Sequence, residues 1–183
     1  MERVASICGR KRHPFEPGRL YMTSFNRISK IDKLGCTFEV GECGSESATE
    51  VKMMYEEFGR LAISQGLPPA DKKIRDDWVD RLFEFGRNFL VWMDNEAVGH
   101  ATVIPDFGRG DGEYIIFVKE PCRNRGLGTA LTALALDVSK SIGLTRIWLT
   151  VEAFNFRAIR LYLNAGFTLV DEFERERTMI LRL

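Results

Sequence analysis

The chain has 183 residues, of which 45% are hydrophobic, a length and composition typical of one domain with a short extension. Its formal net charge is zero, so no overall electrostatic field favours nucleic acid or a membrane as a partner. The sequence has no apolar run of about 18 residues, the length that would indicate a transmembrane helix. The first residues lack the apolar stretch of a secretory signal.

Cysteine and histidine usage argues against a metal site and for a cytoplasmic location. The four cysteines form no CxxC pair, and the two histidines, His13 and His100, lie far apart in the sequence. Free thiols are typical of the reducing cytoplasm. We therefore expect a cytoplasmic protein without a bound metal.

The first 35 residues differ from the rest of the chain. They contain eight basic and three acidic residues, a local net charge of +5, and Pro14 and Pro17 interrupt any helical pattern. We expect residues 1–35 to form a loosely ordered N-terminal extension and residues 36–183 to form the folded domain. The alternative is a basic arm that contacts an acidic partner or RNA.

From residue 36 onward, hydrophobic spacing changes repeatedly between the period of a strand and that of a helix. Asp94, Asn95 and Glu96 predict a tight turn between two strands. In chain order, the predicted elements are a strand at 37–40, helices at 45–64 and 71–85, strands at 89–93, 97–104 and 114–118, a helix at 127–142, a strand at 147–151, a helix at 155–165, and strands at 167–171 and 178–183. This order predicts an α/β (α+β) domain.

The most informative segment connects the strand at 114–118 to the helix that follows it. Gly126 and Gly128 let the backbone come close to a ligand, and the first N–H groups of the helix lie at the positive end of its dipole. Arg123 and Arg125 either add positive charge at the phosphate or are solvated surface residues. We predict that a di- or triphosphate binds to the loop residues, which are Arg123, Asn124, Arg125, Gly126, Leu127, Gly128 and Thr129.

Two common phosphate-binding motifs do not fit this loop. A Walker A loop ends in Lys and Ser or Thr, whereas Thr129 and Ala130 follow the last glycine here. A dinucleotide-binding fingerprint has three spaced glycines near the start of a βαβ unit, whereas two glycines follow a meander of strands here. Both motifs are therefore excluded for this loop.

A second group of residues follows the loop at a characteristic distance. The full order is a strand, Arg-x-x-Gly-x-Gly, a helix, a second strand, Asn-x-x-Ala, a tyrosine and Gly-Phe. These positions are Val118, Arg123, Gly126, Gly128, Asn155, Ala158, Tyr162, Gly166 and Phe167. The arrangement resembles the GNAT superfamily of N-acetyltransferases over roughly residues 36–183, most strongly over 113–167.

The resemblance implies a fold and an acyl donor. A GNAT-like single domain has a central mixed, mostly antiparallel sheet of about six to seven strands, splayed at the cofactor site and flanked by about four helices. Its cosubstrate is acetyl-CoA, whose pyrophosphate lies on the loop and whose pantetheine arm bonds to the backbone near Phe117 and Val118. Asn155 is either a helix N-cap or a cofactor contact, two roles that can coexist.

The resemblance also implies a general acid. In the family, the tyrosine at the position of Tyr162 points at the cofactor sulfur and protonates the departing thiolate. Tyr162 follows Asn155 by two helical turns, so both side chains lie on one face of the helix. The alternative is that Tyr162 is a core aromatic.

The general base is less well defined. Glu113 precedes the strand at 114–118, and some protein-lysine acetyltransferases of the family carry a glutamate in this region. A partly buried Glu would have a raised pKa, which suits a base. A charge at an exposed strand edge is the alternative, and Glu152, Glu120, Asp106 or a water chain are rival bases. His100 is expected to be a sheet histidine with satisfied hydrogen bonds.

Together these features predict transfer of an acetyl group from acetyl-CoA to a primary amine by direct attack. The acceptor is an amine-bearing small molecule, or a protein lysine or N-terminus, and the sequence does not choose among them. One alternative is a non-catalytic acyl-CoA-binding sensor, and another is an RNA- or protein-directed acetyltransferase that uses the basic arm. A homodimer is common in such folds, although no feature of the sequence demands one.

Overall fold

The computed structural model describes residues 27–58, 68–170 and 175–183. The helices are α1 (Ala48–Glu56), α2 (Lys72–Phe85), α3 (Leu127–Ser141) and α4 (Phe156–Asn164). The strands are β1 (Ile28–Ile31), β2 (Thr37–Cys43), β3 (Arg87–Met93), β4 (Glu96–Asp106), β5 (Asp111–Val118), β6 (Arg146–Glu152), β7 (Thr168–Leu169) and β8 (Glu176–Arg182). Within the described ranges they form one eight-stranded sheet in the order β1-β2-β3-β4-β5-β6-β8-β7.

Local sequence signals define where several elements begin and end. The Asp71 side chain caps α2 by accepting a hydrogen bond from the Ile74 N–H at 2.9 Å. Gly143 follows α3 with φ of 86°, the left-handed conformation common at helix C-termini. Asp94 and Asn95 also have positive φ, 50° and 63°, as a two-residue hairpin turn between β3 and β4 requires.

The sheet is antiparallel except where β5 meets β6. These two strands run parallel and pair over three residues each, ending at Glu113 and Trp148. Beyond that rung β5 stays paired with β4 as far as Val118, and β6 stays paired with β8 as far as Glu152. The two strands therefore separate after Glu113, and the sheet is splayed there.

Helices cover both faces of the sheet and bury two hydrophobic cores. On one face, Leu127 and Leu131 of α3 pack against the sheet, which contributes residues such as Ile147. On the other face, Val51 of α1 and Val79 of α2 are fully buried in a second core. Both cores are contiguous sets of apolar side chains, whose burial is the main stabilising contribution to such a domain.

The fold class and the four flanking helices are confirmed, and the strand count is higher than predicted. β1 lies inside the segment 1–35, so the sheet starts upstream of the boundary that we placed at residue 36. All four β1 residues are exposed, which explains why hydrophobic alternation did not reveal this edge strand. β7 is only two residues long.

Several sequence predictions concern residues that the structure does not describe. Residues 1–26, and with them most of the predicted basic arm, lie outside the described residues. Residues 59–64 of the helix predicted at 45–64 also lie outside the described residues, and the described part of that helix contains α1. Among the described helices, none is long and apolar enough to cross a membrane.

Candidate active site

The separation of β5 and β6 creates a cleft beside the N-terminus of α3. Phe117 and Val118 lie beyond the last rung between the two strands, so the edge of β5 that faces β6 is open at these residues. A 3-10 turn at Glu120–Cys122 then leads from β5 into the predicted phosphate loop. The strand edge and the loop are therefore contiguous, as a bound molecule that contacts both would require.

Within the part of the chain that the structure describes, no side chain caps the N-terminus of α3. Gly126 is the N-cap residue, and its carbonyl accepts a hydrogen bond from the Ala130 N–H at 3.0 Å. The N–H groups of Leu127, Gly128 and Thr129 have no carbonyl one turn earlier within the helix. These donors and the helix dipole favour an anion at this position.

Backbone conformation explains two residues of the loop. Gly126 has φ of 94°, and an added Cβ would meet no atom within 4 Å, so glycine is needed for conformation rather than for space. Asn124 is also left-handed, with φ of 64°. At Gly128 the reason is packing, because an added Cβ would lie 3.3 Å from Leu161 Cδ2 of α4.

Arg123 connects the loop to the end of β5. Its Nε donates a hydrogen bond to the Val118 carbonyl oxygen at 3.1 Å. Burial lowers the pKa of Arg123, and the nearby charge of Arg157 lowers it further. The loop is thus a place where positive charges are already held close together.

Arg125 is bound by a residue that sequence analysis did not single out. Its Nε forms an ion pair with Oδ2 of Asp32, whose carboxylate is buried in the turn between β1 and β2. Asp32 Oδ1 accepts hydrogen bonds from the N–H groups of Leu34 at 2.8 Å and Cys36 at 2.9 Å. Burial by itself would raise the pKa of Asp32, but these amides and Arg125 hold it below its ordinary value.

Tyr162 lies in the core between α4 and the sheet. It is 7% exposed, and its ring centroid is 5.8 Å from that of Phe167 and 6.4 Å from that of Tyr114. Burial raises the pKa of the Tyr162 phenol, so the hydroxyl is protonated at neutral pH. The ring of Tyr162 therefore contributes to core packing, and the role of its hydroxyl as a catalytic acid stays a prediction.

Asn155 is the N-cap of α4. Its Oδ1 accepts a hydrogen bond from the Ala158 N–H at 3.2 Å, which is the capping geometry expected from the sequence. The side chain is otherwise exposed. A further contact of Asn155 with a cofactor stays a prediction.

Glu113 lies on the last rung between β5 and β6, opposite Trp148. Because side chains alternate along a strand, Glu113 shares a sheet face with Phe117, and Phe117 packs against Tyr55 of α1 and Trp78 of α2. The half-buried Glu113 therefore faces the α1 and α2 side, at the point where the sheet opens.

The rival bases occupy different surroundings. By the same alternation, Glu152 lies on the face of Trp148, at the far end of β6, and is half-buried. Glu120 is exposed in the turn after β5. Asp106 pairs with Arg109 at 3.9 Å at the end of β4. Of the four carboxylates, Glu113 is the one at the vertex of the cleft.

His100 is part of a buried hydrogen-bonded network, as expected of a sheet histidine. The Asn88 amide donates to the carbonyl oxygens of Leu82 and Gly86, so its Oδ1 accepts from His100 Nε2 at 3.0 Å. His100 Nδ1 then accepts from the Tyr55 hydroxyl at 2.6 Å. Burial lowers the pKa of His100 to about 3, so the ring is neutral at physiological pH.

A cavity of about 440 Å³ lies beside the phosphate loop. Its lining residues are Lys33, Asn124, Phe156, Arg157 and Arg160. Sequence analysis singled out Asn124 alone among them. Lys33 belongs to a segment that we expected to be loosely ordered, and the spacing of Arg157 and Arg160 is also that of an ordinary solvated helix face.

Comparison with known proteins gives a family. The model of the family described as "Acetyltransferase (GNAT) family" matches residues 51–167. The mycothiol acetyltransferase of Beutenbergia cavernae is 45% identical over 101 residues, which cover 54% of this chain and 33% of that protein. That of Geodermatophilus obscurus is 23% identical over 171 residues, covering 86% of this chain and 55% of that protein. The chain thus spans a third to about half of the length of these relatives.

Solved structures share the fold. The GNAT domain of S. lividans PAT superposes with a TM-score of 0.70 at 16% identity, over 86% of this chain and 97% of that one. The structure of yncA, a putative acetyltransferase from Salmonella typhimurium with its cofactor acetyl-CoA, gives 0.64 at 17% identity, over 79% and 93%. These likenesses establish the fold, and the family model covers more than half of the chain. The chain belongs to the acetyltransferase (GNAT) family.

Proposed function

We propose that this protein transfers the acetyl group of acetyl-CoA to a primary amine. The observation that carries the proposal is the N-terminus of α3, which no described side chain caps, next to the open edge of β5. Free N–H groups at a helix N-terminus bind phosphate, and an open strand edge offers backbone groups to an extended, amide-bearing chain. Acetyl-CoA has both parts, a pyrophosphate and a pantetheine arm.

The residues at the cleft fit such a donor. The N–H groups at 127–129 and the charge of Arg123 would hold the pyrophosphate, and Phe117 and Val118 would offer backbone groups to the pantetheine arm. Bound in this way, acetyl-CoA supplies an acyl group activated as a thioester. The neighbour yncA, solved with acetyl-CoA, has the same fold and supports this assignment.

Two groups of the chain then handle protons during direct attack. As the C–N bond forms and the C–S bond breaks, Tyr162 donates its phenolic proton to the sulfur, which leaves as a thiol. Glu113 takes a proton from the attacking amine, directly or through water, and proton exchange with solvent afterwards restores both Glu113 and Tyr162. The phenol of Tyr162 is protonated at neutral pH, and the sheet opening at Glu113 gives access from the α1 and α2 side.

The acceptor is a separate question. A mycothiol-related amine is one candidate, because the matched relatives are named mycothiol acetyltransferases, although each match covers only part of the relative. Another candidate is a protein N-terminus, since one structural neighbour is described as a ribosomal-protein-alanine N-acetyltransferase from Brucella melitensis. Homodimer formation and a cytoplasmic location stay predictions.

A two-step experiment tests donor binding first and the transfer reaction second. Isothermal titration with acetyl-CoA is followed by a thiol-release screen over mycothiol-related amines, peptides with free N-termini, lysine peptides and polyamines. Donor binding together with thiol release that requires an amine supports the proposal. Donor binding without turnover on any amine favours the acyl-CoA sensor, and no binding at millimolar acetyl-CoA overturns both.

A further inference from the structure

The cavity beside the phosphate loop is strongly basic. Three of its five lining residues are cations, Lys33, Arg157 and Arg160, although the chain as a whole has no net charge. The cations come from two separate places, the turn between β1 and β2 and the first turns of α4. Local positive charge on a neutral protein indicates an anionic ligand at that position.

None of these three cations has an acidic partner among the described residues. By contrast, Lys119 is paired with both Glu57 and Glu96. The charge of Arg157 also disfavours the charged form of Arg123 close by. An anion in the cavity would relieve this repulsion, since it would lie among positive charges that have no acidic partner within the described residues.

Lys33 reaches the cavity because its turn is fixed to the phosphate loop. The Lys33 N–H donates to the Arg125 carbonyl oxygen at 3.2 Å, and Asp32 pairs with the Arg125 side chain. The same carboxylate accepts from two amides of its own turn, those of Leu34 and Cys36. One buried carboxylate therefore holds the turn in shape and attaches it to the loop.

This inference rests on the proposed function. We propose that Lys33, Arg157 and Arg160 bind the phosphate monoester on the ribose of the CoA nucleotide. Asp32 is the positioning residue for Lys33. A monoester carries about −1.5 to −2 charges near neutral pH, which suits the three cations that line this cavity. Phe156, 72% exposed at the rim of the cavity, offers a flat face for the adenine. Lys33 and Asp32 lie in the turn between β1 and β2, outside the residues 51–167 that the family model matches.

The test compares CoA with dephospho-CoA by isothermal titration, which reads binding without turnover. We expect the wild-type protein to prefer CoA by about tenfold or more, the value of one charge-assisted contact. Lys33→Gln should reduce this preference severalfold and leave dephospho-CoA affinity unchanged. Lys30→Gln, which changes an exposed lysine of β1, is the matched control and should keep the full preference.

Asp32→Asn tests the positioning role. The amide can still accept hydrogen bonds from the turn but lacks the charge that holds Arg125, so the preference for CoA should fall as in Lys33→Gln. Thermal unfolding and circular dichroism report whether Asp32→Asn is folded. If it is not folded, Arg160→Gln tests the proposed phosphate site through another of its cations.

The outcomes separate this inference from the proposed function. Equal affinity of the wild-type protein for CoA and dephospho-CoA would overturn the inference alone. A preference that survives both Lys33→Gln and Arg160→Gln would overturn it as well, because the discriminating contact would then lie elsewhere. If neither compound binds, the proposed function fails together with the inference.

Discussion

Tyr114 and Tyr162 lie edge to face with ring centroids 6.4 Å apart, but their hydroxyls differ in hydrogen bonding. Thr132 donates its hydroxyl proton to the Gly128 carbonyl, so the Tyr114 hydroxyl donates to Thr132 Oγ1 at 3.0 Å. Within the described residues, the Tyr162 hydroxyl has no hydrogen-bond partner. Two buried phenols of similar environment therefore form a matched pair for testing the catalytic acid.

The first prediction uses this pair. Tyr162→Phe should lower kcat by about 10²-fold or more while acetyl-CoA affinity stays within twofold, because the lost group acts only as the thiolate leaves. Tyr114→Phe should cost about 1 kcal/mol of stability through its lost hydrogen bond and leave kcat nearly unchanged. Steady-state kinetics and titration measure both effects. Equal kcat values for the two variants would rule out Tyr162 as the acid.

The second prediction concerns the left-handed glycine of the phosphate loop. Gly126 and Gly143 have similar φ values, 94° and 86°, at opposite ends of α3, and both have open space around an added Cβ. Replacing either with Ala should destabilise the protein by about 1 to 2 kcal/mol for the same backbone reason. Only Gly126→Ala should also weaken acetyl-CoA binding, by severalfold, because it alone shapes the loop. If Gly143→Ala weakened binding equally, the loss would be global rather than local.

The loop illustrates what the sequence can reveal. Gly126, Gly128 and the helix that follows form a local pattern, and local patterns are visible in a single sequence. The same is true of Asn155, whose capping role follows from its place before a short helix. Most predicted elements from the hairpin at Asp94 to the end of α4 agree with the structure for this reason.

The contacts that sequence analysis missed are long-range. Asp32 and Arg125 are 93 residues apart, and their pairing depends on how the β1–β2 turn meets the loop. β1 gave no hydrophobic signal because all its residues are exposed at the sheet edge. Tyr55 and His100 are likewise 45 residues apart in the sequence. The sequence therefore predicted that His100 is hydrogen-bonded, but not which residues are its partners.

The third prediction follows from the buried His100. Its pKa is about 3 in the folded protein against 6.5 as the ordinary value, so below pH 6.5 the unfolded chain binds the proton more readily. The associated stability is therefore full above about pH 6.5 and falls by about 1.4 kcal/mol per pH unit as the pH drops further. Urea unfolding at pH 7 and pH 5 measures this slope.

A matched variant isolates the histidine. The side chain of His100→Gln can accept from Tyr55 and donate to Asn88 but does not titrate, so the difference in unfolding free energy between pH 7 and pH 5 should shrink. An unchanged slope in this variant would mean that other groups, such as the carboxylates, account for the acid sensitivity.

The fourth prediction tests the base. Glu113→Gln should lower kcat/KM by about 10²-fold and remove the acidic limb of its pH profile, because the amide cannot accept the amine proton. Glu152→Gln, on the same sheet face but at the far end of β6, is the matched control and should keep the wild-type profile. The reverse result would assign the base to Glu152.

The most direct test of the central claim is a single-turnover reaction with radiolabelled acetyl-CoA and the best amine from the screen. We predict that label appears on the amine in amounts equal to the thiol released, that none accumulates on the protein, and that Tyr162→Phe slows the transfer. Label that stays on CoA in the presence of every amine, despite measurable donor binding, would contradict the claim that this protein is an acetyltransferase acting by direct attack.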